Sequence, residues 1–245
     1  MTMMIRFFAA QRVGNARVVI DLHEKIRLNA PPPPACLAAT RYFDCDDPTV
    51  RAYATDVVGD ATTHVEKAVR LYYAVRDEFR YDPRHFLLTK QQFCCRQILR
   101  DKRGFCMPKA VLLSTLARTQ GIASGIGFAE VVNHLMPASM LDSLGQNQPI
   151  FHGYSVLYID GKWLKASPAF NLTMCQKLDT RPLEFDGKSH ALFHEYDNKS
   201  RRHMEYIQDY GAVADFPYEQ VYFDVFGKKY PDIKSVIDGE RIPPV

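Results

Sequence analysis

The chain of 245 residues contains no apolar run approaching the ~18 residues that a membrane-spanning helix needs, so no bilayer-crossing helix is expected. Net charge is also scarce, at +3, and no basic block interleaves with aromatics, which leaves nucleic acid no electrostatic footprint. No internal repeat recurs along the sequence. Cysteine is thinly spread over positions 36, 45, 94, 95, 106 and 175. No pair has zinc-ligand spacing, and adjacent Cys94 and Cys95 suit neither a metal site nor an ordinary disulfide. Reduced thiols in a cytoplasmic protein are the expectation. What remains is a globular chain, 47% hydrophobic and 24% charged, far too apolar for disorder and sized for one large domain.

The stretch up to Asp21 holds Arg6, Arg12 and Arg17 and no acid. Those arginines interrupt the apolar part too often for a secretory signal. An organelle transit peptide shares this composition, but one or two strands is the simpler reading, and "ARVVIDLHEKIRL" alternates as a strand does. The four prolines of "APPPPACLA" (30–38) favour extended polyproline structure and forbid a helix or central strand. They divide an N-terminal extension, residues 1–35, from a domain over 36–245.

From Asp47 the apolar period is helical. "DDPTVRAYATDVVG" reads as one helix, and a second is capped at Asp60, Thr62 or Thr63, with Val65, Ala68, Val69, Tyr72, Val75 and Phe79 on one face. Residues 89–101 form a shorter helix. Cys106 opens another, running to about Thr119, with Gly121 as its stop. Then the period becomes two. "IASGIGFAEVVN" is a strand, residues 137–149 are a loop, and "FHGYSVLYIDGKWLKASPAF" is a hairpin turning at Asp160-Gly161. A helix is expected around 200–210. Helices first and antiparallel strands second make an α+β domain.

A cysteine on an apolar helix is commonly core filler. Three features set Cys106 apart. It sits at the helix N-terminus, where free N–H groups and the macrodipole favour a thiolate. Pro108 fixes the helix start, since a missing N–H costs nothing in the first turn. Gly104 permits close approach of a substrate backbone. A thiol nucleophile needs a base, and His152, at the start of a strand, is the best candidate.

At this point the sequence resembles the transglutaminase-like superfamily, of papain-like fold. The resemblance rests on "RGFCMPKAVLLSTLARTQGIAS" followed by "FHGYSVLYIDGKWLKASPAFN", with Cys106, Gly121-Ile122, His152, Gly161, Trp163 and Pro168 matching, and on a helical lead-in upstream. It covers roughly 36–225. "NHL", "PAFN", "EFDG" and "RRHMEY" are similar to bacterial members of largely unassigned function. The resemblance implies covalent acyl transfer at an amide or peptide bond, through a thioester on Cys106 with His152 as general base and acid. It favours hydrolysis over amide formation with an amine. It implies no metal or other cofactor, and a peptide, protein or small amide as substrate. The family's third residue is usually an aspartate fifteen positions after the histidine, where this chain has Ser167. Asn171 is a second candidate for that role and Asp186 a third. Gly104, Phe105, Gln92, His134 and Trp163 are candidates for lining the substrate cleft, Gln92 as an oxyanion donor. The missing aspartate also keeps open a non-catalytic binding domain that retains the cleft.

Overall fold

The computed structural model describes residues 22–82, 85, 88–134, 149–193, 197, 199–201 and 203–229. Helix α1, Pro48–Val58, starts where the Asp47 carboxylate accepts the Thr49 and Val50 N–H groups. Helix α2, His64–Glu78, begins with a full capping box: Thr63 accepts from the Glu66 amide while Glu66 accepts from the Thr63 amide. Residues 89–101 split in two. A 3-10 turn, Lys90–Phe93, is followed by α3, Cys95–Asp101, because extended Cys94 breaks the helix and Asp44 caps it from across the fold through the Cys95 and Arg96 amides.

Helix α4, Cys106–Thr119, is buried from its first residue through Arg118. Apolar residues on all its faces explain this, since such a helix must be covered on every side. Helices α1, α2 and α3 cover one flank and the sheet the other. The sheet is antiparallel, in the order β5-β4-β3-β6: β3 is Ser124–Asn133, β4 Ile150–Ile159, β5 Lys162–Ala166 and β6 Met204–Val213. A short parallel pair, β1 (Arg80–Tyr81) and β2 (Arg103–Gly104), leads into α4. The α+β architecture is therefore the one expected: a helical first half packed on an antiparallel sheet.

Asp160 and Gly161 both have positive φ, 48° and 81°, as a two-residue primed turn between β4 and β5 demands. Two expectations change. The helix expected at 200–210 is the edge strand β6, paired along β3 with register shifts at Phe128/Ala129 and Glu130/Val131. Its middle is polar because an edge strand is half solvated, and that composition mimics a solvated helix face. The N-terminal strand lies partly outside the described residues. Within them, Lys25 bridges Val213 and the Ile26 amide bonds the Ala212 carbonyl, so the segment follows the outer edge of β6. The 137–149 loop falls almost wholly outside the described residues. Among those described, no helix is long and apolar enough to cross a membrane.

Candidate active site

The site grows from a break in the β4–β5 ladder. In a two-residue hairpin the closing pair, Ile159 and Lys162, is hydrogen-bonded, so odd-numbered β4 residues direct their N–H and C=O toward β5. The ladder stops at Ser155–Ala166. Continued for two more residues it would set Gly153 against Pro168, which has no N–H to offer. Instead β5 swings out, and the Ser167 amide bonds the Ala191 carbonyl at 2.9 Å. The opened edge of β4 receives the first turn of α4. The Gly153 amide, together with those of Met107 and Cys106 itself, points at the Cys106 sulfur. Only glycine fits at 153: a Cβ there would lie 2.6 Å from Met107 Cγ and 3.1 Å from Met107 Cα.

His152, the neighbouring residue on β4, has Nε2 3.0 Å from Ser167 Oγ. Ser167 is held in turn by its backbone, since its carbonyl accepts the Tyr72 hydroxyl at 3.2 Å. Rings of Phe193 and Tyr206 flank the imidazole, at centroid distances of 5.1 and 6.4 Å. Phe170 packs on Phe193, and Tyr81 on Phe170, extending an aromatic wall.

Burial sets the protonation states. It pushes the Cys106 thiol up to about 11, against the smaller downward pull of the three amides. It pushes the His152 imidazole down to about 3. At rest Cys106 is a neutral thiol and His152 a neutral imidazole. The helix N-terminus was expected to yield a thiolate, but desolvation at a residue only 7% exposed outweighs it.

Of the third-residue candidates, Ser167 stands at the histidine. Asn171 is turned to other partners, accepting the Tyr81 amide at 3.1 Å and bonding Thr173. Asp186 accepts the Lys188 and Ser189 amides in a local turn, which holds its carboxyl below the usual range. The expected cleft residues are spread out. The Gln92 side chain staples the preceding loop, with Oε1 accepting from the Leu88 amide at 2.8 Å and Nε2 donating to the His85 carbonyl. His134, just past the end of β3, pairs with Glu205 at 3.0 Å, five residues on from Ala129, the cross-strand partner of His152. Trp163 sits toward the hairpin turn, donating to the Ala30 carbonyl at 2.9 Å. Phe105 is 1% exposed and packs edge-on against Phe93. Gly104 pairs with Tyr81 and abuts Pro108.

Sequence reasoning passed over Lys109, one turn along α4 from Cys106. It is fully buried, with Nζ donating to the Arg76 and Phe79 carbonyls at 2.9 and 2.6 Å. A lone lysine inside an apolar helix pattern was the available signal. Tyr72 and Tyr206 carried no such mark. Among the described residues, no cluster of three or more histidine, cysteine or acidic side chains is arranged to hold a metal ion.

Residues 51–168 match the sequence model of the transglutaminase-like superfamily, an interval that contains Cys106, His152 and Ser167. Two solved structures share 16–19% identity with the chain. One, from Cytophaga hutchinsonii and provisionally described as a cysteine protease, has a TM-score of 0.42 and is 19% identical, over 54% of this chain and 40% of its own. The other, a provisionally described protease of Parabacteroides distasonis, has a TM-score of 0.35 and is 16% identical, over 51% of this chain and 25% of its own. No curated protein matches. The likeness to the transglutaminase-like superfamily thus spans residues 51–168, just under half of the chain.

Proposed function

We propose that the protein is a cysteine-dependent acyl-transfer enzyme that cleaves an amide or peptide bond through a thioester on Cys106. One observation carries the reading. The Gly153 amide points at the Cys106 sulfur, and the next residue of β4, His152, has Nε2 3.0 Å from Ser167 Oγ. Ser167 accepts the Nε2 proton and leaves Nδ1 as the base.

The neutral resting pair fixes how the chemistry runs. Moving the thiol proton to His152 costs about 11 kcal/mol from the separate proton affinities, at ~1.36 kcal/mol per pKa unit. Attraction within the new ion pair returns about 4 kcal/mol at ~4 Å and an effective dielectric of ~20. The ion pair is thus a transient species about 7 kcal/mol uphill, and His152 takes the proton as sulfur attacks. The S–C bond forms while the carbonyl π pair moves onto oxygen. Collapse of that tetrahedral species expels the amine, which leaves with the proton held on His152. A second nucleophile, deprotonated by His152, then attacks the thioester, and the returning proton restores the thiol. Water is taken as that nucleophile, because the smallest acceptor best reaches a cysteine and histidine exposed by only 7% and 4%.

Turnover of p-nitrophenyl acetate in the presence of methylamine tests this reading. Nitrophenolate release is expected from the wild type and not from Cys106→Ala, with acetate as the main product. N-methylacetamide as the main product would replace hydrolysis with amine transfer. Equal turnover by Cys106→Ala would remove Cys106 as the nucleophile, and no release by the wild type would leave a binding domain.

A further inference from the structure

The tetrahedral species formed at Cys106 carries a negative oxygen, and acyl transfer in a buried site needs a fixed donor aimed at it. The Gln92 amide is spent on the His85 carbonyl. Tyr206 is placed differently. Its ring meets the His152 ring edge-on at 6.4 Å. Its hydroxyl oxygen accepts the Phe193 amide at 3.5 Å. A phenol has one proton to donate, and no acceptor for that proton stands among the described residues. That proton can turn into the space beside His152.

The electrostatic link to sulfur is also informative. A negative charge on Cys106 bears on the Tyr206 hydroxyl, yet no hydrogen bond joins the two among the described residues. The hydroxyl is thus within electrostatic reach of the sulfur, with a gap between them. An oxygen bonded to a carbon that is itself bonded to sulfur occupies such a gap. A thiolate partner would instead touch the sulfur directly. Burial holds the phenol above its ordinary range, so it remains a donor at any pH where the enzyme works.

We infer that the Tyr206 hydroxyl donates to the oxyanion of the tetrahedral intermediate on Cys106, which makes Tyr206 a catalytic residue. This rests on the acyl-transfer reading above. The residue comes from β6, some fifty positions beyond His152, and reaches the site because β6 lies against β3 on the side away from β5.

Two reactions of Cys106 separate this role from a structural one. Alkylation by iodoacetamide displaces iodide at a saturated carbon and forms no oxyanion. Acylation by p-nitrophenyl acetate forms one. Tyr206→Phe retains the ring and gives up, among the described residues, just the long hydrogen bond to the Phe193 amide. Acylation of Cys106 is expected to fall ~10²–10³-fold with KM little changed, while alkylation stays within about 3-fold. Unchanged acylation in Tyr206→Phe overturns the assignment. So does a parallel fall in both rates, which would make Tyr206 a support for the thiol. A loss of acylation in Tyr81→Phe in its place moves the role to the tyrosine on β1, whose hydroxyl also feels Cys106. A wild type that is alkylated at Cys106 but never acylated there refutes the acyl-transfer reading itself.

Discussion

Ser167→Asp puts back the charge that the family usually has beside the histidine. Ser167 is 1% exposed and its Oγ is 3.0 Å from His152 Nε2, so a carboxylate there would contact the ring in a nearly dry setting. At ~4 Å and an effective dielectric of ~20, the attraction for an imidazolium is about 4 kcal/mol, or about three pKa units. His152 would rise from about 3 toward about 6. The thiolate–imidazolium pair, about 7 kcal/mol uphill in the wild type, would fall to about 3 kcal/mol. Its population would grow ~10³-fold, and with it the rate of Cys106 alkylation near neutral pH. The larger side chain strains a packed site, at a cost of about 1–3 kcal/mol in stability. The assay is the iodoacetamide rate at Cys106, followed by peptide mass mapping from pH 4 to about 10 so that the other five cysteines are counted separately. The wild-type rate should climb throughout, following a thiol at about 11. The variant should gain a plateau reaching into neutral pH. Ser167→Ala, which leaves Nε2 without its partner, should slow alkylation. A folded Ser167→Asp protein whose profile overlays the wild type would refute the reasoning, because the ring would then not be coupled to position 167.

Two further outcomes follow from the packing around Cys106. Burial pushes the Lys109 amine from 10.5 down to about 7, so between those values the unfolded chain holds one more proton than the folded chain. Stability must then rise with pH through that window, by at most ~1.36 kcal/mol per unit. Above about pH 8.5 the buried thiols, whose pKa values are raised, act in the opposite sense. Urea unfolding between pH 7 and about 8.5 should show a gain of about 2 kcal/mol that Lys109→Met abolishes, and a flat wild-type profile would contradict the account. Gly153→Ala drives a Cβ toward Met107 Cα, backbone that has little room to yield. It should cost about 1–3 kcal/mol and slow Cys106 alkylation by parting α4 from β4, and unimpaired alkylation would contradict the contact.

Much of this was legible in the sequence. Helix α4 announced both its ends, with Cys106 and Pro108 in the first turn and Gly121 (φ 75°) just past its last residue. Asp160-Gly161 announced the hairpin, and the family resemblance pointed to Ser167 as a partner of His152. What stayed hidden comes from contacts distant in the chain. Asp44 caps α3 from 51 residues away, and no local signal marks that. β6 is a strand because β3 has a free edge, and a polar edge strand carries no clean alternation. The neutral state of Cys106 and His152 is hidden for the same reason. A helix N-terminus is visible in sequence, but the depth at which the sheet buries it is a property of the closed fold, and that depth sets both proton affinities.

The central claim is that Cys106 forms a covalent acyl intermediate with the help of His152. Its most direct measurement is acid-quenched peptide mapping after brief exposure to p-nitrophenyl acetate, for the wild type and His152→Ala. The account predicts an acetyl group on the Cys106 peptide of the wild type, formed at the rate of nitrophenolate release and absent from His152→Ala. Acetyl groups scattered over all six cysteines, or equal labelling of Cys106 without the histidine, would contradict it.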